Sequence, residues 1–341
     1  MDKVGQMQHT IERLTSPGRG ILAADESYPT ITKRLADHNI ESTEETRRFY
    51  RSLLASTPGI GEYVAGIIFF EETLGQKNDD GVRIPEACEQ QDIVPGIKVD
   101  KGLTELPGSP GDKVTQGLDN LGDRLDGYLE QGALFTKWRN VYSISATTPS
   151  QQAIEANAEV LARYAAIVQS RGMVPIVEPE VLMDGNHSIE RCAEVTEAAQ
   201  AALFAALRRH QVLLEAVILK PNMVLPGKDV SPRPTAEVCA EATLRVLRRT
   251  VPAAVPSINF LSGGQSCEEA TANLNAMNQS ELSKPWVLSF SYSRALQNPV
   301  QAAWAGDNAN KAIAEKAFLK RARLNSLARQ GTYSASMEQS D

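Results

Sequence analysis

The strongest constraint on the fold is a set of short apolar segments that recur eight times, about every 30–45 residues. Each is bounded by polar or turn-forming residues and is rich in aliphatic, often β-branched, side chains, which is typical of a buried strand. Helix-like segments lie between them. This alternation predicts an α/β fold in which the strands close into a (β/α)8 TIM barrel. The predicted strands are residues 20–25, 64–70, 93–100, 133–139, 173–177, 216–220, 257–261 and 286–291.

The same spacing predicts one domain. No Pro-, Gly- or Ser-rich linker divides the chain, so residues 1–341 are expected to form a single barrel domain, with residues 331–341 as a flexible C-terminal tail. A doubly wound open sheet is the competing fold. It is disfavoured because no G-x-G-x-x-G motif follows the first strand.

Local signals refine the connections. The sequence Ser-Thr-Glu-Glu at residues 42–45 predicts a capping box, and Pro149 suits the first position of a helix. Residues 76–91 are rich in Asp and Gly and are predicted to be a surface loop. Residues 101–117 are rich in Gly, Pro and Thr and are predicted to be an exposed excursion.

Composition excludes several classes of function. A net charge of −7 gives no sign of a nucleic-acid footprint. Four scattered cysteines without a C-x-x-C pair predict reduced thiols and a cytoplasmic protein, and the N-terminal residues lack an apolar signal region. No window approaches the length of a membrane span. The four histidines lie far apart in sequence, so no metal site is predicted.

One lysine is a candidate catalytic residue. Lys220 closes the sixth predicted strand, and Pro221 follows it at once. Lysine is rarely buried unless it is paired or functional. Two interpretations are open: a desolvated amine that attacks a carbonyl, or a side chain that extends past the strand end to reach water.

The ends of the other strands favour the first interpretation. Barrel active sites lie at the carboxyl ends of the strands, so side chains at these positions share one mouth. Seven predicted strands end in ionisable or anion-binding groups, namely Asp25, Lys98, Lys137 with Arg139, Glu178 with Glu180, Lys220, Ser262 with Gly263, and Arg294.

Side-chain alternation along a strand places the paired residues on the same side. Lys137 and Arg139 are two apart, as are Glu178 and Glu180, so all four are expected to point into the mouth. The ammonium of Lys137 would repel that of Lys220 and favour the uncharged, nucleophilic amine. Such an amine forms a carbinolamine with a ketone, and Glu178 and Glu180 are candidates for the proton transfers that lead to an imine. A protonated imine is an electron sink for breaking an adjacent C–C bond.

Two groups of residues are predicted to bind anions. Leu261, Ser262, Gly263 and Gly264 leave the seventh strand with exposed backbone N–H groups, and Arg294 follows the eighth. Ser27, Arg34 and Lys98 form a second candidate group. Two phosphate sites around a lysine amine suggest a doubly phosphorylated keto sugar.

At this point the sequence resembles the class I fructose-bisphosphate aldolases. The resemblance runs from about residue 8 to residue 333. The matching stretches are GILAADES at residues 20–27, GIKVDKG at 96–102, KWR at 137–139, VPIVEPE at 174–180, LKPNMV at 219–224, LSGGQS at 261–266 and FSYSRAL at 290–296.

The resemblance implies reversible cleavage of fructose 1,6-bisphosphate to dihydroxyacetone phosphate and glyceraldehyde 3-phosphate, without metal or cofactor, by a homotetramer. It implies Lys220 as the Schiff-base lysine and Glu178 as the group that dehydrates the carbinolamine. Asp25 and Lys137 would be electrostatic and proton-handling partners, with Glu180 in support. The substrate phosphates would be held by two sets of residues, namely Ser262, Gly263, Ser291 and Arg294 for one, and Ser27, Arg34 and Lys98, with Arg139 nearby, for the other.

Two departures from the family pattern stand out. Ser293 occupies a position where the family commonly has Gly or Ala, so the backbone approach to phosphate is expected to differ. Animal and many plant members end in a tyrosine that assists proton transfer, whereas this sequence ends Met-Glu-Gln-Ser-Asp. We therefore expect slower turnover of the bisphosphate, which grafting a terminal tyrosine would test.

Other functions stay open from sequence. A transaldolase-like enzyme would also use a Schiff-base lysine but needs no second phosphate site, and a zinc-dependent aldolase would be inhibited by EDTA. A non-enzymatic scaffold would be expected to lack a catalytic group. Sedoheptulose 1,7-bisphosphate is a possible second substrate, and glycolysis, gluconeogenesis and the Calvin cycle are not distinguished.

Overall fold

Eight parallel strands form a closed barrel in the computed structural model, which describes residues 2–339. A two-stranded antiparallel hairpin, β4–β5, lies outside it. The strands are β1 Gly20–Ala24, β2 Val64–Phe69, β3 Val94–Lys98, β4 Leu103–Glu105, β5 Lys113–Thr115, β6 Phe135–Tyr142, β7 Val174–Val181, β8 Ile218–Leu219, β9 Ser257–Phe260 and β10 Val287–Tyr292. Around the barrel they follow the order β1, β2, β3, β6, β7, β8, β9, β10. The predicted TIM barrel is confirmed.

Helices alternate with the barrel strands and cover its outer face. They are α1 Lys3–Leu14, α2 Tyr28–Ala36, α3 Glu44–Ser56, α4 Glu71–Leu74, α5 Ile84–Glu89, α6 Leu121–Glu130, α7 Gln151–Ser170, α8 Ile189–Arg209, α9 Ala236–Thr250, α10 Cys267–Gln279, α11 Arg294–Trp304 and α12 Lys311–Arg329. Short 3-10 turns at residues 60–62, 214–216, 308–310 and 335–339 complete the described chain. None of the helices in residues 2–339 is long and apolar enough to cross a membrane.

Two strands extend beyond their predicted ends. β6 continues to Tyr142 and β7 to Val181, with Arg139 paired in register with Glu178. The prediction ended these strands at Arg139 and just before Glu178. That was wrong because a charged side chain that points into the barrel mouth leaves the backbone ladder intact.

Two predicted loops contain regular structure. Residues 84–89 form α5, whose Ile84 and Cys88 are fully buried and lie four residues apart on one helical face. The stretch 101–117 holds the β4–β5 hairpin, in which Leu103 pairs with Thr115. These elements escaped notice because α5 is short and β4 is exposed along its length, which leaves little hydrophobic periodicity to detect.

Two helix starts also differ from prediction. α3 is capped by Thr43, whose Oγ1 accepts from the Thr46 backbone N–H at 3.0 Å, while the Ser42 hydroxyl is engaged by Thr32. α7 begins after Pro149, with the Ser150 hydroxyl accepting from the Ala153 N–H at 3.1 Å.

The amino-terminal end of the barrel is closed. Met7, Ile11 and Leu14 of α1 join a buried cluster with inward residues of the strands, including Phe135. A Cβ on Gly96 would lie 2.3 Å from the Phe135 ring, so only glycine allows this ring to fill the interior. The packed interior leaves the opposite, carboxyl end of the barrel as the place for a site.

The C-terminal residues pack against the helical layer. Tyr333 is buried, and both oxygens of Glu338 accept hydrogen bonds from Arg321 at 2.6 Å. The flexibility of residues 331–341 stays a prediction, and Ser340 and Asp341 lie outside the described residues.

Candidate active site

A cavity of about 410 Å³ opens at the carboxyl ends of the barrel strands. It is lined by Asp25, Ser27, Arg34, Lys98, Lys137, Arg139, Glu178, Glu180, Lys220, Leu261, Ser262, Gly263, Ser291 and Arg294. The sequence selected all of these residues, and the structure brings them together. Gly264, which the sequence also selected, is not among the residues that line the cavity.

Four charged side chains form a continuous chain of ion pairs on the cavity floor. The Lys137 ammonium lies 2.6 Å from Asp25 Oδ2 and 3.2 Å from Glu178 Oε2. The other oxygen of Glu178, Oε1, lies 3.1 Å from Lys220 Nζ. Lys137, Glu178 and Lys220 each have side chains only 4% exposed, so these pairs are largely shielded from water.

Burial and charge act in opposite directions on these groups. Burial would raise the pKa of Asp25, but the ammoniums of Lys137 and Lys220 outweigh it and hold that pKa well below its usual range. Burial would likewise raise the pKa of Glu178, yet the same two cations keep it below its ordinary value. Burial would lower the pKa of Lys137, but the carboxylates of Asp25 and Glu178 raise it. Asp25, Glu178 and Lys137 are therefore held in their ionised forms.

The position of Glu178 modifies one sequence argument. Direct repulsion between the ammoniums of Lys137 and Lys220 was expected to favour an uncharged amine. In the structure a carboxylate lies between the two cations and contacts both. It is close enough to accept a proton from the Lys220 ammonium, so the pair contains an acid–base partner for the nucleophile.

A second layer of ion pairs lies nearer the cavity rim. Arg139 Nε donates to Glu180 Oε2, and Lys98 Nζ lies 2.9 Å from Asp100 Oδ1. The second oxygen of Asp100 accepts the Arg139 backbone N–H at 3.4 Å. Asp100 is buried and lines the cavity, but the sequence analysis did not select it. Its position two residues after Lys98, on the same side of the extended chain, was a usable signal.

Glu26 is the other acidic residue that the sequence analysis missed. It follows Asp25 directly, and its side chain is only 2% exposed. Its Oε1 accepts from Arg34 Nη1, and the Arg51 guanidinium lies 3.6 Å from its Oε2. Glu26 thus supports a cation, Arg34, that the sequence assigned to phosphate binding. The link joins the residue after the strand end to a helix residue eight positions later, and reasoning about each strand end by itself could not reveal it.

The loop after β9 and the end of β10 form a polar wall of the cavity. A Cβ on Gly263 would lie 3.0 Å from Glu180 Oε1 and 3.1 Å from Leu261 Cδ1, so a larger residue would have to displace these side chains slightly. Ser262 and Ser291 are buried, and within residues 2–339 the Ser291 hydroxyl has no hydrogen-bond partner. A buried hydroxyl that faces a cavity without a partner is suited to bind a ligand oxygen.

Gly264 has a structural role. Its φ of +76° lies in the left-handed region, and a Cβ would approach Met183 Cβ at 2.5 Å. Both features disfavour any other residue. Gly264 therefore allows the loop to turn away from the cavity after Gly263.

We expect Gly264→Ala to lower the free energy of unfolding by about 2–4 kcal/mol, because it adds backbone strain to a steric overlap. Urea unfolding followed by far-UV circular dichroism measures this. The matched control is Gly127→Ala in α6, where a Cβ meets no atom within 4 Å, and where alanine should stabilise the helix by about 0.5–1 kcal/mol. Equal effects at the two positions would contradict the role assigned to Gly264.

The described part of the chain, residues 2–339, contains no group of three or more His, Cys, Asp and Glu side chains arranged to hold a metal ion. The carboxylates at the cavity contact cations of the protein instead: Asp25 and Glu178 contact Lys137, and Glu180 contacts Arg139. The arrangement resembles an acid–base site built around an amine nucleophile.

Comparison with known proteins agrees with this arrangement. The family model described as fructose-bisphosphate aldolase class-I matches residues 6–341. The chain belongs to the class I fructose-bisphosphate aldolase family. It is similar to fructose-bisphosphate aldolase 6, cytosolic, of Arabidopsis thaliana, with 56% identity over 318 residues that cover 93% of this chain and 88% of the relative.

Members of this family from other kingdoms are nearly as similar. Fructose-bisphosphate aldolase C of Homo sapiens is 52% identical over 327 residues, which cover 96% of this chain and 90% of the human protein. Among solved structures, the Plasmodium falciparum aldolase, crystallised with TRAP and a small-molecule inhibitor, superimposes with a TM-score of 0.96 at 48% identity. The match covers 98% of this chain and 96% of the Plasmodium chain. The barrel of this chain is therefore that of the aldolase family.

Proposed function

We propose that the protein catalyses the reversible cleavage of fructose 1,6-bisphosphate to dihydroxyacetone phosphate and glyceraldehyde 3-phosphate through a Schiff base on Lys220. The observation that carries the proposal is the buried Lys220–Glu178 pair at 3.1 Å on the floor of a cavity rimmed by cations. Family membership supports it, because the class I enzymes are defined by Schiff-base chemistry.

The proposed reaction begins at the amine. Glu178 accepts the proton of the Lys220 ammonium, the free amine attacks the C2 carbonyl, and Glu178 returns a proton to the carbinolamine hydroxyl, which leaves as water. The resulting iminium withdraws electrons as the C3–C4 bond breaks. The C4 hydroxyl gives its proton to the Asp25 carboxylate and becomes the aldehyde carbonyl, while the electrons of the broken bond form an enamine on the lysine side.

Asp25 and Lys137 support the proton transfers. Lys137 contacts Asp25 and Glu178 at once, so it stabilises their negative charge while protons move. Glu180, held by Arg139, adds negative potential beside the same floor. The enamine finally takes a proton at C3, and hydrolysis of the imine releases dihydroxyacetone phosphate.

We assign the two phosphates from the order of the strands around the barrel. Lys220 follows β8, so the β9 loop with Ser262 and Gly263 is its neighbour. C2, the carbon attached to Lys220, is next to C1, so the C1 phosphate is assigned to this near group together with Ser291 and Arg294. Lys98 on β3 and Ser27 after β1 are each three strands from β8, across the mouth. With Arg34 they form the far group, which is assigned to the C6 phosphate, and Arg139 lies beside it.

Further properties are inferred from the family. Several similar proteins are named cytosolic or cytoplasmic isozymes, which supports a cytoplasmic protein. A homotetramer and activity on sedoheptulose 1,7-bisphosphate stay predictions.

The proposal is tested by intact mass after incubation with dihydroxyacetone phosphate and borohydride, followed by peptide mapping. We expect one reduced adduct, located on Lys220, and activity that persists in EDTA. The matched control is Lys228→Arg, which removes an exposed lysine that does not line the cavity and should leave the adduct in place. An adduct on another lysine, or no adduct together with activity lost in EDTA, would overturn the assignment.

A further inference from the structure

We propose that the Ser293 hydroxyl fixes the orientation of Arg34 and so selects substrates with a phosphate at the far end. The inference rests on the proposed function, because it assigns the far group of Ser27, Arg34 and Lys98 to the C6 phosphate. It concerns a positioning residue that acts through Arg34 rather than one that touches the reacting atoms.

The first observation is a serine at a helix start whose hydroxyl does not cap the helix. Ser293 is the residue before α11, yet its side chain makes no capping hydrogen bond. At the same position before α7, α8 and α10, Ser150, Ser188 and Ser266 each accept a backbone N–H of the following helix. The Ser293 hydroxyl is committed elsewhere.

Its hydrogen-bonding capacity is fully used within one cluster. Ser293 Oγ donates to Glu26 Oε1 at 2.9 Å, accepts from Arg34 Nη1 at 2.7 Å, and accepts from Gln297 Nε2 at 3.1 Å. One donated and two accepted bonds are the full complement of a hydroxyl. The Ser293 hydroxyl therefore has little freedom to rotate, and it fixes the direction of the hydrogen bond to each partner.

Arg34 is held on one side and free on the other. Its Nη1 donates to both Glu26 and Ser293. Within residues 2–339 its Nε and Nη2 have no hydrogen-bond partner, and its side chain remains 20% exposed at the cavity. Two acceptors on a single nitrogen fix the plane of the guanidinium, and the free N–H groups then form a fork of the kind that binds phosphate.

The support behind this cluster is rigid. One N–H of Gln297 Nε2 donates to the Ala23 carbonyl at 2.7 Å, and the other is shared between Glu26 Oε1 at 2.8 Å and Ser293 Oγ at 3.1 Å. The Gln297 Oε1 accepts from the Tyr50 hydroxyl. Tyr50 and Gln297 are fully buried. Arg34 is joined to the core of the barrel directly through Glu26, and Ser293 adds a second link. Only this second link requires a hydroxyl at position 293.

The test compares two substrates that differ only in the far phosphate. For Ser293→Ala we expect KM for fructose 1,6-bisphosphate to rise about five- to twenty-fold, in line with the loss of a hydrogen bond to a charged group. KM for fructose 1-phosphate should rise by a smaller factor, since that substrate does not reach Arg34, so the ratio of the two KM values reports on the far phosphate. Ser293→Thr keeps the hydroxyl and should restore discrimination.

A double-mutant cycle identifies the route of the effect. Adding Ser293→Ala to Arg34→Ala should cause no further rise in KM for the bisphosphate, because the residue it positions is already absent. The matched control is Ser188→Ala, which removes a capping serine outside the cavity and should leave the ratio of the two KM values unchanged. Additive effects, or equal losses with both substrates, would overturn the proposal.

Failure of this proposal and failure of the proposed function are distinguishable. Dihydroxyacetone phosphate lacks a far phosphate, so Ser293→Ala should still form the borohydride adduct on Lys220. Adduct formation with an unchanged ratio of KM values would refute the role of Ser293 alone. Absence of the adduct in the unaltered protein would refute the Schiff-base function.

Discussion

Replacing Lys220 with arginine should lower kcat for bisphosphate cleavage by about 10⁵-fold, the scale typical of removing a covalent nucleophile. Arginine stays protonated and cannot form an imine, but it keeps a positive charge opposite Glu178. The arginine can therefore still form an ion pair with Glu178, and the fold should remain intact. A coupled assay of triose phosphate release measures kcat, and the borohydride adduct should be lost in parallel.

The same variant separates chemistry from stability. Its urea midpoint should stay close to that of the parent protein. Lys220→Met would instead leave Glu178 with Lys137 as its remaining close cation and should be less stable. Retention of more than about one hundredth of the activity by Lys220→Arg would exclude an obligatory imine at this position, since imine formation supplies far more than two orders of magnitude.

Lys137→Met should affect both turnover and stability. The ammonium contacts Asp25 and Glu178, so its removal leaves Asp25 as a buried carboxylate without its closest cation. Removing one member of a buried ion pair costs about 3–5 kcal/mol of stability at neutral pH. Turnover should fall about 10²–10⁴-fold, as expected when proton transfer loses its electrostatic support. Urea unfolding and steady-state kinetics measure the two effects.

The pH dependence of the loss in stability has a definite sign. In the parent protein the pKa of Asp25 is lower in the folded than in the unfolded state. The ionised carboxylate therefore contributes stability at pH values above its unfolded-state pKa, and this contribution is lost as the pH falls through its folded-state pKa. In the Lys137→Met variant the ammonium that lowers the pKa of Asp25 is absent, so burial raises the pKa of this carboxyl. The loss should therefore grow as pH increases from about 4 to about 8 and shrink towards acid pH.

An exposed ion pair provides the control for this experiment. Lys113 lies 3.6 Å from Glu105, and both side chains are well exposed. Lys113→Met should change stability by less than about 1 kcal/mol and without a marked pH dependence. A loss at Lys137 that is small, or that is constant from pH 4 to pH 8, would contradict a buried, fully ionised cluster.

The sequence was sufficient to predict the barrel and most of the cavity because both follow from local rules. Apolar segments of strand length separated by helical segments indicate a barrel, and the residues at their carboxyl ends must converge on one mouth. Lys137 and Glu178 could be selected in this way because each lies on the inward side of a strand. Neither inference needs knowledge of which side chains meet.

What the sequence left out depends on contacts between distant elements. Glu26 joins Arg34 and Arg51, and Ser293 joins Glu26 to Arg34 across 259 residues of chain. No periodicity encodes such a contact. Helix α5 and the β4–β5 hairpin were missed for another reason, since short elements provide too few residues to establish a period.

The closed amino end of the barrel bears on the order of events in turnover. With α1 packed against the interior, the cavity opens at the mouth, so substrate arrives and both products depart on the same side. In the proposed mechanism the ketone-derived fragment remains attached to Lys220 after bond cleavage, whereas the aldehyde is held by non-covalent contacts at the far group. The aldehyde can therefore diffuse away first. Because the barrel is closed at one end and the intermediate is covalently attached to Lys220, the two products leave through one opening in a fixed order, the aldehyde before dihydroxyacetone phosphate.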